Sequence, residues 1–188
     1  MPKQRLNAST LYHHTYSKHN TMSHQSFTVF FPGTFDPFTV GHQSIVEQAL
    51  TFADRVHIGI GVNPDKKTMF TAAQRLNYIN HLYGNNDRVI VSQYTGLTTD
   101  FIKKEGNINC ILRGVRSVKD FEYERQMADI NRQLTGIETI LLFPSPQFDS
   151  ISSSMVRELI TYSKDVSPFI PLDLSMMNTA FDNTKTVS

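Results

Sequence analysis

The sequence predicts a single α/β domain built on a five-stranded parallel sheet, doubly wound, with helices on both faces. Three observations carry this. Five short apolar, β-rich runs recur along the chain, a helical pattern follows each of them, and turn or cap residues punctuate the joins. Strand followed by helix, five times over, makes βαβ units, and those require a parallel sheet covered on both sides.

Each element has a local reason. Phe27–Phe31 is a short β-rich run that ends at Pro32-Gly33. Ile45, Val46, Ala49, Leu50 and Ala53 then lie at helical spacing, one apolar stripe on a helix starting near Gly41. Arg55–Val62 reads as the second strand. Thr71 with Gln74 is a capping-box pattern that opens a helix to about Tyr83. Arg88–Val91 is the third strand and Leu97–Glu105 a short helix, and Asn109–Leu112 is the fourth strand. Ser117 with Asp120 opens a long helix to about Leu134, stopped by Gly136. Glu138–Phe143 is the fifth strand, Ser152 to about Tyr162 a last helix, and Pro168–Pro171 ends the ordered pattern. The expectation is a Rossmann-like domain over residues 27–171.

The flanks read differently. Residues 1–26 are polar, lack apolar periodicity and hold four of the seven histidines, His13, His14, His19 and His24. No apolar h-region marks a secretory signal, and the histidine spacings match no defined metal site. This segment reads as a disordered leader, with translation from Met22 as the alternative. Residues 172–188 read as a polar, partly disordered tail.

Bulk properties narrow the function. The chain has 188 residues, 39% hydrophobic and 19% charged, and its 18 Lys and Arg nearly balance 17 Asp and Glu. That balance argues against nucleic acid or an anionic membrane as the main partner. No apolar run approaches the roughly 18 residues of a membrane span. The single cysteine, Cys110, sits in an apolar run, reads as a buried structural thiol, and fits a reducing, cytoplasmic compartment.

Doubly wound sheets bind ligands at the carboxyl ends of their strands, and the loops there carry unusual chemistry. Residues 32–42, PGTFDPFTVGH, leave the first strand and enter a helix, whose free N–H groups and dipole suit a phosphate. Gly41 permits close backbone approach, and His42 offers a hydrogen bond or positive charge to a phosphate oxygen; as a helix-start cap it would need no ligand. Lys66 and Lys67 place two ammonium groups past the second strand, for solvent or for phosphate. Arg113 and Arg116 follow the fourth strand, able to fork onto phosphates or to bridge Asp120, Glu122 or Glu124. Ser152, Ser153 and Ser154 open a helix with more hydroxyls than one cap needs. No Ser-His-Asp order, metal spacing or covalent nucleophile stands out, so phosphoryl or nucleotidyl transfer by positioning and charge stabilisation is the natural chemistry.

These strings carry a resemblance. Thr39-Val40-Gly41-His42 resembles the T/HxGH signature of the HIGH-type nucleotidyltransferase superfamily, and Ile151–Arg157 its second signature, ISSSxxR. With NPDKKTMF, RGVRSVKDFEYE and FDSISSSMVR they resemble the bacterial phosphopantetheine adenylyltransferases, in order and spacing from about Phe27 to Pro171. The resemblance implies adenylyl transfer from ATP to 4′-phosphopantetheine by direct in-line attack, with Mg²⁺ carried by the triphosphate and no protein metal ligand. It implies that Thr34 and His42 contact the reacting phosphates, with His42 stabilising charge on the α-phosphate. Lys66 and Arg113 would hold the acceptor's phosphate, and Thr98 would lie near its pantetheine arm. Phe35, Gly114, Val115, Arg116, Glu124 and the stretch Phe148, Asp149, Ser150, Ile151, Ser152, Ser153 and Ser154 would line the ATP site. It further implies a homohexamer and feedback by coenzyme A. A sibling enzyme using nicotinate mononucleotide, or CTP with a polyol phosphate, is opposed by Lys66 and the Arg113–Glu124 string. A non-catalytic nucleotide-binding module is opposed by the intact signatures.

Overall fold

In the computed structural model, residues 26–178 are described. The expected leader, residues 1–26, lies outside them but for Ser26. Five parallel strands form one sheet in the order β3-β2-β1-β4-β5. They are β1 (Thr28–Gly33), β2 (Arg55–Val62), β3 (Val89–Thr95), β4 (Cys110–Gly114) and β5 (Glu138–Leu142). The crossovers are α1 (Val40–Ala49), α2 (Ala72–Tyr83), α3 (Thr98–Glu105) and α4 (Val118–Thr135), and α5 (Ser153–Thr161) follows β5.

Alternation along β1 builds the two faces. Val29 and Phe31 pack with Ile45, Val46 and Ala49 of α1 and with Tyr78 and Ile79 of α2. Phe30, one residue out of phase, packs on the other face with Ile102 of α3, Ile108 and Ile111. Both faces are thus covered, which is why the inner strands read as continuous apolar runs.

Caps set the helix ends. Thr39 with His42 and Thr71 with Gln74 form reciprocal capping boxes on α1 and α2. Ser117 caps α4 through the Asp120 amide, and Gly136 ends it at φ 75°, a left-handed conformation open to glycine.

Three elements extend beyond their sequence pattern. β3 runs to Thr95, four residues past the expected Val91, because Ser92 to Thr95 register against Gly59 to Val62. This is an edge strand, and its polar residues hide it from an apolar-run reading. β4 ends at Gly114, so Arg113 and Gly114 stand on the strand's carboxyl end rather than in the loop. The chain also stays packed past Pro171: Leu172 and Leu174 lie on the core, Met177 is buried, and Gln74 bonds Asn178. Tyr78 ties this strap down, donating to the Leu172 carbonyl and accepting its amide.

Cys110 is half-buried, not fully enclosed, and packs against the α1–α2 core. Among the described residues, no helix is long and apolar enough to cross a membrane.

Candidate active site

The strand order reverses at β1 and β4, the topological switch point of the sheet. The two strands register at Val29 with Cys110 and Phe30 with Ile111. Further along, Arg113 fills the split, its Nη1 donating to the Pro32 carbonyl at 2.6 Å. A cavity of about 350 Å³ opens there, within the usual range for a small-molecule site.

The first loop folds tightly over the end of β1. Phe35 adopts φ 51°, which turns its ring back beneath the loop, against Phe31, Phe38 and His42. Gly33 makes room, since a Cβ there would lie 2.6 Å from the Phe35 ring. At the head of α1, the Thr39 amide donates to His42 Nδ1 at 3.0 Å. Nδ1 is thereby an acceptor, so the neutral ring carries its proton on Nε2. Burial, with the Arg116 and Arg113 guanidiniums adding to it, pushes the imidazole pKa down to about 3. His42 therefore serves this cavity as a neutral donor; of the hydrogen bond and positive charge that the sequence allows it, the structure favours the first.

The other loops converge on the same place. Lys66 Nζ donates to Thr34 Oγ1 at 3.0 Å. Arg113 Nε and Nη2 grip both oxygens of the buried Glu124, at 2.8 and 2.6 Å. Burial alone would lower the Arg113 pKa, but the hydrogen bond and charge of Glu124 outweigh it and raise it. Arg116 pairs with Asp120 at 3.4 Å and donates to the Ile151 carbonyl. The arginines thus bridge to acids, as one of their two readings has it, and they also line the cavity. Ser152 caps α5 by accepting the Met155 amide, Ser153 donates to the Pro37 carbonyl, and Ser154 accepts from Arg157. Each serine has an intramolecular partner, which accounts for three in a row without a ligand. Five cations face three carboxylates around the cavity, a positive balance suited to polyphosphate.

Thr34, Phe35, His42, Lys66, Arg113, Gly114, Arg116, Glu124 and Ile151 to Ser154 all line the cavity. Five other expected residues do not. Val115 is fully buried and its amide is taken by the Leu142 carbonyl, so that N–H is not available to a nucleotide. The Thr98 hydroxyl bonds Tyr94, away from the lining. Phe148, in a 3-10 turn at Pro146–Phe148, and the following Asp149 and Ser150 lie beside the cavity rather than on it. Lys67, offered to solvent or phosphate, and Asp120, offered as a partner for the arginines, also line it, and so do Asp36 and Arg157, which had been assigned no contact. Asp36 lies in the first loop and Arg157 ends the second signature, but Asp36 bonds two backbone amides and Arg157 a backbone carbonyl, which no side-chain pattern reveals.

Residues 30–159 match the cytidylyltransferase-like family model. A phosphopantetheine adenylyltransferase of Bacteroides thetaiotaomicron is 56% identical over 141 residues, covering 75% of this chain and 93% of that one. That of Bacteroides fragilis is 52% identical, covering 78% and 97%, and that of Porphyromonas gingivalis 47%, covering 75% and 92%. The chain belongs to the phosphopantetheine adenylyltransferase family. As a phosphopantetheine adenylyltransferase it is a nucleotidyltransferase enzyme, and its signature residues stand at the switch point described above. A solved structure of a putative nicotinate-nucleotide adenylyltransferase from Vibrio parahaemolyticus shares its fold, with a TM-score of 0.61 at 16% identity, covering 81% of this chain and 91% of that one.

Proposed function

We propose that this enzyme transfers the adenylyl group of ATP to 4′-phosphopantetheine, giving dephospho-coenzyme A and pyrophosphate. The observation that carries the proposal is the cationic cavity at the β1–β4 split, with His42 at its floor as a fixed neutral donor, in a chain 56% identical to a named member of the family. An oxygen of the acceptor's phosphate attacks the α-phosphorus of ATP. The bond from that phosphorus to the bridging oxygen breaks, and pyrophosphate leaves with the electron pair.

His42 Nε2–H donates to the α-phosphate oxygen on which charge builds, and Thr34 lies beside it. Lys66 and the Nη hydrogens of Arg113 not used by Glu124 and Pro32 take the acceptor's phosphate. Arg116, Gly114 and the head of α5 take the nucleotide. ATP enters as its Mg²⁺ complex, the ion riding on the triphosphate. The carboxylates of the cavity are already engaged, Asp36 by two amides, Glu124 by Arg113 and Asp120 by Arg116.

We assign the reaction to the cytoplasm, in line with a single half-buried thiol. We also propose a homohexamer with feedback by coenzyme A, which carries the acceptor's own phosphopantetheine group. Tyr123, Ile130 and Leu134 form an exposed apolar stripe along α4 that suits contact between copies. Sedimentation would give the subunit number.

The deciding experiment mixes the protein with ATP, Mg²⁺ and 4′-phosphopantetheine and follows pyrophosphate release, with nicotinate mononucleotide and glycerol 3-phosphate as parallel acceptors. Release with phosphopantetheine alone is expected. Release only with another acceptor would discard the substrate, and silence with all three would discard the activity.

A further inference from the structure

Asp36 is 4% exposed and sits one residue beyond the left-handed Phe35, inside the loop that leaves β1. The hydrogen bonds of its carboxylate reach to another segment of the chain. Oδ2 accepts the Met69 amide and Oδ1 the Phe70 amide, both at 2.9 Å, across more than thirty residues of sequence. Its own carbonyl accepts from Arg157 Nη1 at 2.7 Å, and that nitrogen lies 3.9 Å from Oδ2. One residue on, the Pro37 carbonyl accepts from Ser153. A single buried acid thus joins three separate pieces of chain: the first loop, the segment from Asn63 to Phe70, and the first turns of α5.

The middle piece matters most. Lys66 stands only three residues before Met69 on an otherwise exposed segment, and its ammonium reaches Thr34 across the cavity mouth. A long lysine on an exposed loop loses much side-chain entropy when held in one place. Two charge-assisted hydrogen bonds at the loop's base reduce the freedom that remains to be lost.

We infer that Asp36 is a positioning residue for the transfer reaction: by clamping the Met69 and Phe70 amides it holds Lys66 against Thr34, where the acceptor's phosphate is taken. This rests on the proposed acceptor binding above. Asp36 borders the cavity, but both its carboxylate oxygens are taken by these amides, and its effect travels through Lys66.

The test is a double-mutant cycle of Asp36→Asn and Lys66→Ala, read as KM for phosphopantetheine, KM for ATP and kcat, with thermal melting and amide hydrogen exchange alongside. The asparagine keeps the shape but offers one acceptor and two opposing hydrogens. Asp36→Asn is expected to raise the acceptor KM about tenfold or more, the scale of one lost charge-assisted hydrogen bond, while the ATP KM stays within about twofold. Exchange should quicken at Met69 and Phe70 and not at Ile58 or Ile111. The double variant should be no worse than Lys66→Ala, because the clamp has nothing left to place. Additive effects, or equal losses in both KM values, would overturn the inference. Should the asparagine variant not fold, Asp36→Glu keeps the charge and moves the clamp outward by one methylene; the same non-additivity with Lys66→Ala is then required. Wild-type turnover with phosphopantetheine is the control that separates failure of this inference from failure of the substrate assignment.

Discussion

The Thr39 amide and Nδ1 of His42 stand 3.0 Å apart, donor to acceptor, across the first turn of α1. The same contact that caps the helix fixes the imidazole's tautomer, so local folding decides which ring nitrogen carries the hydrogen. Two results follow. His42→Ala removes a donor aimed at developing charge and should lower kcat by about 10²–10³-fold, with the ATP KM little changed; normal kcat with a raised KM would refute the role. The pH behaviour is the second. The folded pKa is about 3 against 6.5 for a free imidazole, so as pH falls below 6.5 the unfolded chain takes up a proton that the native state refuses. The His42 contribution to stability is therefore complete above 6.5 and is lost progressively as pH falls towards 3. In the ligand-free protein the His42 ring resonances should not titrate between pH 8 and 5, and its nitrogen shifts should report a proton on Nε2. A midpoint near 6.5 would mean that the ring is not held as described.

Arg113 and Glu124 provide a different test, because their pairing orders a cavity-lining cation. Glu124→Gln leaves the guanidinium facing an amide whose own hydrogens oppose it. A loss of about 1–3 kcal/mol is expected, the scale of a broken hydrogen bond to a charged group. At this chain length each kcal/mol moves the melting temperature by about 2–4 °C. The acceptor KM should rise together with the loss of stability, since the freed fork no longer points in one direction. An unchanged melting temperature would show the pair to be dispensable.

How far the sequence reaches is clear from individual residues. His42, Lys66, Arg113, Arg116 and Ser152 to Ser154 lie at or beyond the ends of four different strands, yet a doubly wound sheet brings all those ends to one edge, so their meeting was legible in the sequence. Val115 was not, because the fate of its amide depends on the register of β4 against β5, a long-range property. Thr98 turns to Tyr94 because β3 extends farther than its polar residues suggest. Asp36 was quoted in a motif, but its work is done on two backbone amides, which carry no residue-type signal. The strap after Pro171 was hidden because its anchors are long-range: Leu172, Leu174 and Met177 pack on the core, and the Tyr78 hydroxyl holds the Leu172 backbone across 94 residues.

Tyr78 allows stability to be moved without touching catalysis. Its hydroxyl serves both backbone groups of Leu172, and burial pushes its pKa up to about 12, so it is un-ionised throughout the working range. Tyr78→Phe keeps the ring and strands those two groups, a cost of about 1–3 kcal/mol. The melting temperature should fall by several degrees, while kcat and both KM values hold, because Tyr78 does not line the cavity. A kinetic change of equal size would mean that the C-terminal strap reaches the site.

Gly33 makes the reverse case, in which catalysis should suffer more than stability. An added Cβ would meet the Phe35 ring at 2.6, 2.8 and 2.9 Å, closer than any real contact, so the ring must move. It is not a free side chain: Phe35 is 4% exposed, and its ring meets those of Phe31, Phe38 and His42 at 5.2, 5.4 and 5.1 Å. Displacement by one methyl group therefore shifts the surface on which the His42 imidazole rests. A misplacement on the order of 1 Å at a reacting group costs up to about 10²-fold in rate, whereas overpacking at one core position costs about 1–3 kcal/mol. Gly33→Ala should thus fold, melt only a few degrees lower, and lose kcat by more than tenfold with the His42 ring resonances shifted. Full activity with unmoved resonances would show that the Phe35 ring does not support the His42 imidazole.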